Sequence, residues 1–383
     1  MYYRELETEL VRLSQHFRVL TITGPRQSGK TTLCKKTFAE YQYINLEDET
    51  VVAELEINRK DYLIRHRKGL IIDEIQNMPE LFSAVQVVID DYEDARFVLT
   101  GSNNFLLVQK ITQSLAGRTA ILSLLPFALS ELNEDDRKMG LFEIMFRGFY
   151  PAVWAKNIPP QDVYRQYFST YIQRDIQQVI NIKNLSEFRR FVVLCAARIG
   201  TEFNASSLSN ELGVSVPTIT EWTNVLEASY IIFRLPPFFK NINKRLVKTP
   251  KIYFYDVGLA CFLLGINTAH QVETHPLRGS LFENLVVCEF LKKQYNRGLD
   301  SNLFYFRDKS QKEVDLVQEI GNEYHAYEVK IAPSINSDFY KNLKYFNTLF
   351  PKENTRCCII YTGNSESQNP ENGYINYQNI SDL

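Results

Sequence analysis

Short apolar runs alternate with longer segments of helical period through the first third of the chain. Residues 17–23, 41–46, 69–74, 96–100 and 120–124 are runs of strand length, rich in Val, Ile, Leu, Phe and Tyr. Between them, residues 3–15, 32–38 and 81–92 place apolar side chains at helical spacing, as in Leu81, Val85, Val88 and Ile89. Strands alternating with helices predict an α/β domain built on a parallel sheet. The pattern then changes. Residues 162–179 carry Tyr164, Tyr167, Phe168, Tyr171 and Ile172 at helical spacing, and residues 191–197 read as a buried helix. Residues 205–212 form a further helix stopped by Gly213, and residues 216–226 another with Pro217 in its first turn. Two apolar runs, 231–235 and 251–255, can pair beside them. A polar stretch at 267–275 reads as a linker. A helix apolar on every face follows over 278–291, then strands over 303–306, 313–317 and 324–330, a helix over 338–349 and a strand over 356–361. The remainder is rich in Asn, Ser and Gln and reads as irregular.

This organisation predicts four regions: an α/β nucleotide-binding domain over 1–155, a helical and winged-helix domain over 156–266, a small α/β domain over 276–363, and an irregular tail over 364–383. The 383 residues suffice for two or three cores. A formal charge of −2 confines any nucleic-acid contact to local patches. The six cysteines form no C-x-x-C pair, so neither a zinc site nor a disulfide framework is expected. Neither a signal peptide nor a long uncharged apolar run is seen, and a cytoplasmic protein with no membrane contact is the expectation.

The chemistry concentrates after the first strand. Gly24-Pro25-Arg26-Gln27-Ser28-Gly29-Lys30-Thr31-Thr32 reads G-x-x-x-x-G-K-T between a strand and a helix. That order lets a glycine loop aim successive backbone N–H groups at one phosphate, with the helix N-terminus adding positive potential. Lys30 would reach the β- and γ-phosphates of ATP, and the Thr31 hydroxyl would hold Mg²⁺. The run 69–74 ends in Asp73 and Glu74. Asp73 would hold Mg²⁺ through water, and Glu74 would orient or deprotonate the attacking water. Ser102 and Asn103 follow the next strand, where a γ-phosphate sensor or an ordinary polar turn is expected. Arg118 would stabilise transferred charge from its own or a neighbouring subunit, or serve only structurally.

Taken in order, G-P-R-Q-S-G-K-T-T-L, L-I-I-D-E-I-Q, L-T-G-S-N, L-A-G-R and L-x-P-F resemble a prokaryotic family of AAA-type, or archaeal-type, ATPases. Its members carry a C-terminal region of unknown function, and the resemblance runs nearly the whole chain. It implies ATP and Mg²⁺ as ligands, and hydrolysis as the activity. Arg174 falls in a segment resembling the family's linking helix.

Two further outlines remain. Helix, glycine turn, helix and two strands is the outline of a winged helix. Lys240, Lys244, Arg245 and Lys248 lie between the strands without an acid, which suits DNA phosphates. Thr218, Thr220, Glu221 and Asn224 give the recognition helix little positive charge, so a protein-interaction or lid role stays equally open. In the last domain, Glu283 on a helix, Asp315 on a strand and Glu328-x-Lys330 on the next follow the order of restriction-endonuclease-like nucleases. Asp315 and Glu328 would hold a metal, Glu283 would be a further ligand, and Lys330 would position the hydrolytic water. The alternative is a packed Glu–Lys pair in a fold that does not cleave. Two functions follow: an ATPase whose nucleotide state drives a DNA-directed C-terminal half, or an ATP-gated binding switch, either of them possible as a homo-oligomer.

Overall fold

The computed structural model describes residues 2–102, 114–171, 185–238, 249–350 and 354–383. Asn103, Arg174, Lys240, Lys244, Arg245 and Lys248 lie outside them. The protein is α/β, with a parallel five-stranded sheet in an N-terminal P-loop domain, a helical middle and a small C-terminal sheet.

The chain divides into two compact units, the first comprising residues 1–127, 228–230 and 294–300. Its elements are α1 (Leu6–Ser14), β1 (Val19–Thr23), α2 (Lys30–Thr37), β2 (Gln42–Asn45), α3 (Glu49–Arg65), β3 (Leu70–Asp73), α4 (Leu81–Asp91), β4 (Phe97–Gly101) and β5 (Thr119–Ser123). The strands lie in the order β2-β3-β4-β1-β5, all parallel. Successive strand side chains point to opposite faces. Val19, Leu70, Ile72, Phe97 and Leu99 therefore pack on one side with Leu55, Leu63, Val85 and Ile89 of α3 and α4. Leu20, Ile22, Ile71, Val98 and Leu122 pack on the other with Leu6, Leu10 and Leu33 of α1 and α2. Both faces are covered, which is why these strands read as continuous apolar runs rather than alternating ones. β1, β3 and β4 all end at one edge of the sheet, where open α/β folds bind their ligands.

The second unit holds residues 128–227, 231–293 and 301–383. It begins at Ala128, so the segment read from the sequence as the end of the first domain packs here instead. The reason is visible in two buried carboxylates. Glu289 accepts from Leu129 N at 2.7 Å, and Asp256 accepts from Phe149 N at 2.7 Å.

Its helices are α5 (Glu134–Arg137), α6 (Leu141–Arg147), α7 (Pro151–Ala155), α8 (Pro160–Tyr171), α9 (Leu185–Ala197), α10 (Ala205–Leu212), α11 (Val216–Ala228), α12 (Val257–Leu263), α13 (Ala269–Thr274), α14 (Arg278–Tyr295) and α15 (Lys341–Leu349). Gly213 closes α10 with φ 69°, the left-handed geometry that lets α11 start at a new angle. β6 (Ile232–Leu235) and β7 (Lys251–Phe254) pair antiparallel. The 267–275 linker is in fact capped into α13, because the Thr268 side chain accepts from Gln271 N.

The C-terminal sheet contains β8 (Leu303–Arg307), β9 (Glu313–Ile320), β10 (Glu323–Lys330), β11 (Asn354–Tyr361) and β12 (Gly373–Asn376), in the order β12-β11-β10-β9-β8. β8, β9 and β10 form an antiparallel meander, and β11 returns parallel to β10 after α15. Phe306, Val314, Val317, Leu343, Phe346 and Ile359 centre its core. The tail expected to be irregular is instead ordered. β12 adds parallel to β11, and Ile375, Tyr377 and Ile380 are buried. Its few apolar residues are spaced two to three apart, so the polar majority around them concealed the burial.

Candidate functional site

The loop after β1 is shaped by its glycines. Gly24 has φ 143°, and a Cβ there would lie 2.1 Å from the Leu124 carbonyl oxygen. Gly29 caps α2 at φ 97°. No other residue type fits the first position without moving β5's continuation, and the second needs left-handed backbone. Gln27 also takes positive φ, at 61°. The result aims the first N–H groups of α2 into the loop's concavity.

Lys30 is 5% exposed, and its ammonium donates to Gly24 O at 2.9 Å and Pro25 O at 2.8 Å. Burial pulls it down to about 8, while the carboxylates of Glu74 and Asp73 pull it back up. Ser28 Oγ is fully buried and has no hydrogen-bond partner among the described residues. Arg26 and Thr32 complete the loop and the first turn of α2.

Asp73 is the last residue of β3 and 4% exposed. Thr31 Oγ1 donates to its Oδ2 at 2.7 Å, Tyr43 Oη donates to the same oxygen at 2.9 Å, and Thr100 Oγ1 donates to its Oδ1. A hydroxyl and a carboxylate held side by side are the hard oxygen donors Mg²⁺ selects. Glu74 follows in left-handed backbone, φ 55° and ψ 47°. For a side chain of its size this conformation carries strain and needs support from its surroundings. Support comes from Gln76 Nε2 and, at 3.5 Å, from Ser102 Oγ, both donating to Glu74 Oε2. The structure thus gathers Lys30, Thr31, Asp73, Glu74 and Ser102 at one edge of the sheet.

Arg118 is not with them. It precedes β5, whose Thr119 is in register with Val19 at the start of β1. Four residues of strand separate that edge from the loop, about 13 Å. Its guanidinium instead grips Asp90 through two bonds of 2.9 and 3.1 Å. A charge-stabilising role within its own site is therefore corrected to a bidentate ion pair with α4.

Sequence reasoning missed four residues here. Arg4 is 7% exposed and donates to Ser28 O at 2.7 Å and Leu125 O at 2.6 Å, bracing the loop from behind. Tyr43, Thr100 and Gln76 orient the two acids. Only Gln76, two residues after Glu74, had a local signal. The others arrive from separate elements.

A family model described as an AAA domain matches residues 16–133. Residues 139–270 match a domain of unknown function (DUF8612), and residues 278–380 another (DUF4143). Uncharacterized protein Rv2008c of Mycobacterium tuberculosis and Uncharacterized protein Mb2031c of Mycobacterium bovis are each 28% identical over 368 residues, 94% of this chain and 80% of theirs. Among solved structures, the Walker-type ATPase PABY2304 of Pyrococcus abyssi aligns with TM-score 0.46 and 14% identity, over 69% of this chain and 96% of that one. The AAA match covers every residue gathered at that edge from Gly24 to Ser102, does not reach Arg4, and takes in only residues 128–133 of the second unit.

In the second unit, a separate cluster assembles around the expected nuclease residues. Glu328 is 3% exposed; Lys330 Nζ donates to its Oε2 at 2.5 Å and Asn342 Nδ2 to its Oε1 at 3.3 Å. Asp315 Oδ2 accepts from Val329 N at 2.8 Å and lies 3.6 Å from Lys330 Nζ. Glu283 accepts from Lys251 Nζ at 3.0 Å and from Tyr253 Oη. Lys251, 1% exposed, also pairs with Glu313 at 2.5 Å. Burial pushes Glu283 up to about 7 and Glu328 up to about 8; Asp315's charge adds to both shifts, and the lysines oppose them. Lys330 and Lys251 go up despite burial, because the carboxylates around them outweigh it. Asp315, Glu328 and Lys330 do meet, but Glu283 is turned to Lys251. Among the described residues, no group of three His, Cys, Asp or Glu side chains is gathered as for a metal ion. Likewise among them, no helix is long and apolar enough to cross a membrane.

Proposed function

We propose that the chain binds ATP with Mg²⁺ at the β1–α2 loop and hydrolyses it, its nucleotide state being passed to the second unit. One observation carries this reading: Thr31 and Asp73 share a hydrogen bond of 2.7 Å beside a buried Lys30 and a glycine-shaped loop. Backbone N–H groups and Lys30 would hold the phosphates. Thr31 and Asp73 would hold Mg²⁺, which when bound neutralises developing phosphate charge. Glu74, fixed by Gln76 and Ser102, would take the proton of the attacking water. Glu74→Gln keeps the size and much of the hydrogen bonding. It should leave ATP affinity unchanged and lower turnover roughly 10²-fold or more. Full turnover in that variant would move the base elsewhere.

The second unit supports a DNA-directed role by its outline only. α10, Gly213, α11 and the β6–β7 hairpin have the outline of a winged helix. The order α14, β8–β10, α15, β11 places Asp315 and Glu328-x-Lys330 on adjacent strands, as restriction-endonuclease-like folds do. A second reading, that this fold binds without cutting, is favoured by the two ammonium groups seated among its carboxylates. Incubating the protein with single- and double-stranded DNA and RNA in Mg²⁺ or Mn²⁺ separates the two. Cleavage that Asp315→Ala and Lys330→Ala both abolish, with ATP turnover intact, would establish the nuclease. Uncut nucleic acid in every condition would leave the binding module.

A further inference from the structure

We propose that Tyr43 is a positioning residue for the phosphate site: its hydroxyl holds the Asp73 carboxylate in the orientation that serves the divalent ion. This rests on the Mg·ATP reading above and extends it to a strand the loop motif does not include. β2 lies beside β3, with Tyr43 opposite Ile71 and Asn45 opposite Asp73. The Tyr43 side chain nevertheless reaches forward along the sheet edge to donate to Asp73 Oδ2 at 2.9 Å. Its ring is fixed by Lys35, whose ammonium lies 3.3 Å from the ring centroid. Lys35 is one helical turn beyond Thr31 on α2, so one helix presents both the Thr31 hydroxyl and the cation that seats Tyr43.

Three hydroxyls from three elements therefore converge on one carboxylate: Thr31 from α2, Tyr43 from β2 and Thr100 from β4. Oδ1 is held by Thr100 and Oδ2 by Thr31 and Tyr43. Of the two donors on Oδ2, Thr31 is the residue assigned to the ion. Tyr43 is then the donor that keeps that oxygen aimed while Thr31 is engaged. Hydrogen bonds to a ligating carboxylate fix its direction, and removing one typically costs about 10- to 100-fold in metal affinity.

Tyr43→Phe isolates the claim, because it keeps the ring, the packing and the Lys35 contact and deletes only the hydroxyl. Affinity for a fluorescent ATP analogue is measured in EDTA and across a Mg²⁺ titration, for wild type and variant, with melting curves as a control on folding. The inference predicts unchanged affinity in EDTA within about twofold and a Mg²⁺ half-saturation raised roughly tenfold. A Mg²⁺ titration identical to wild type overturns it. So does an equal loss in EDTA and in Mg²⁺, which marks a general structural role. Because the readout is binding, a wild type that binds Mg·ATP without turning it over defeats the hydrolysis reading while leaving Tyr43 decided by the titration. A wild type whose nucleotide affinity ignores Mg²⁺ overturns both.

Discussion

Lys251→Met tests the charge cluster of the second unit. The substitution keeps an unbranched chain of similar length and removes one ammonium. Lys251 is 1% exposed and serves Glu283 at 3.0 Å and Glu313 at 2.5 Å, with Asp315 close enough to act on its charge and Tyr253 sharing Glu283. Removing one partner of a buried ion pair typically costs about 3–5 kcal/mol, because a charge is left buried and uncompensated. The cost here must depend on pH. Glu283 and Glu328 have folded-state values raised to about 7 and about 8, from 4.5. The folded chain keeps protons that the unfolded chain releases, so stability from these two groups is full below pH 4.5 and is lost as pH rises through 7 and 8. Lys251 opposes the rise at Glu283, so its removal drives that carboxyl further up and makes ionising it dearer. Lys251 itself titrates above 10.5 when folded, beyond this window. The substitution should therefore cost little at pH 5 and about 3–5 kcal/mol near pH 8. Urea unfolding followed by tryptophan fluorescence reads this directly, since the chain's two tryptophans, Trp154 and Trp222, both lie in the second unit. A destabilisation constant from pH 5 to 8, or below about 1 kcal/mol at pH 8, would refute a charge-compensated cluster and favour simple packing.

Arg4→Ala strips two buried carbonyls, Ser28 O and Leu125 O, of their charged donor. It should weaken ATP binding about tenfold, since charged hydrogen bonds carry about 1.5–3 kcal/mol each. Arg4→Lys should not restore binding, because a single ammonium cannot span both acceptors; unchanged affinity in Arg4→Ala would show that the loop holds its shape unaided. Lys330→Ala should lower the melting temperature at pH 9 more than at pH 5, by the same logic applied to Glu328, and equal shifts would contradict it.

The phosphate edge was legible because its signals are local. Gly24 through Thr32 are contiguous, Asp73 and Glu74 end one apolar run, and Ser102 directly follows the next strand. The parallel sheet followed from runs buried on both faces. What stayed hidden depends on contacts far apart in sequence. Arg4 lies 24 residues before the carbonyl it braces, and Tyr43 30 residues before the acid it orients. Neither has a spacing that marks it. Arg118 was left between a charge-stabilising and a structural role, and its ion pair with Asp90 fits the structural one. Its neighbourhood in sequence resembled a site, while strand direction carried it to the other edge. The tail misled by composition, since Ile375, Tyr377 and Ile380 are enough to anchor an otherwise polar segment. Glu283, Asp315, Glu328 and Lys330 were found by order along the chain. Lys251, which decides how Glu283 is used, came from a hairpin read only as a wing.

The central claim is that Lys30 and its loop bind nucleotide phosphate. Titration calorimetry of ATP with Mg²⁺ into wild type and Lys30→Ala tests it most directly. Lys30 Nζ lies within 2.9 Å of the loop's own carbonyls, so the charge is already at the concavity. The account predicts saturable one-site binding in wild type and a sharp loss in Lys30→Ala, with the variant still folded by circular dichroism. Equal affinity in the two proteins would contradict it.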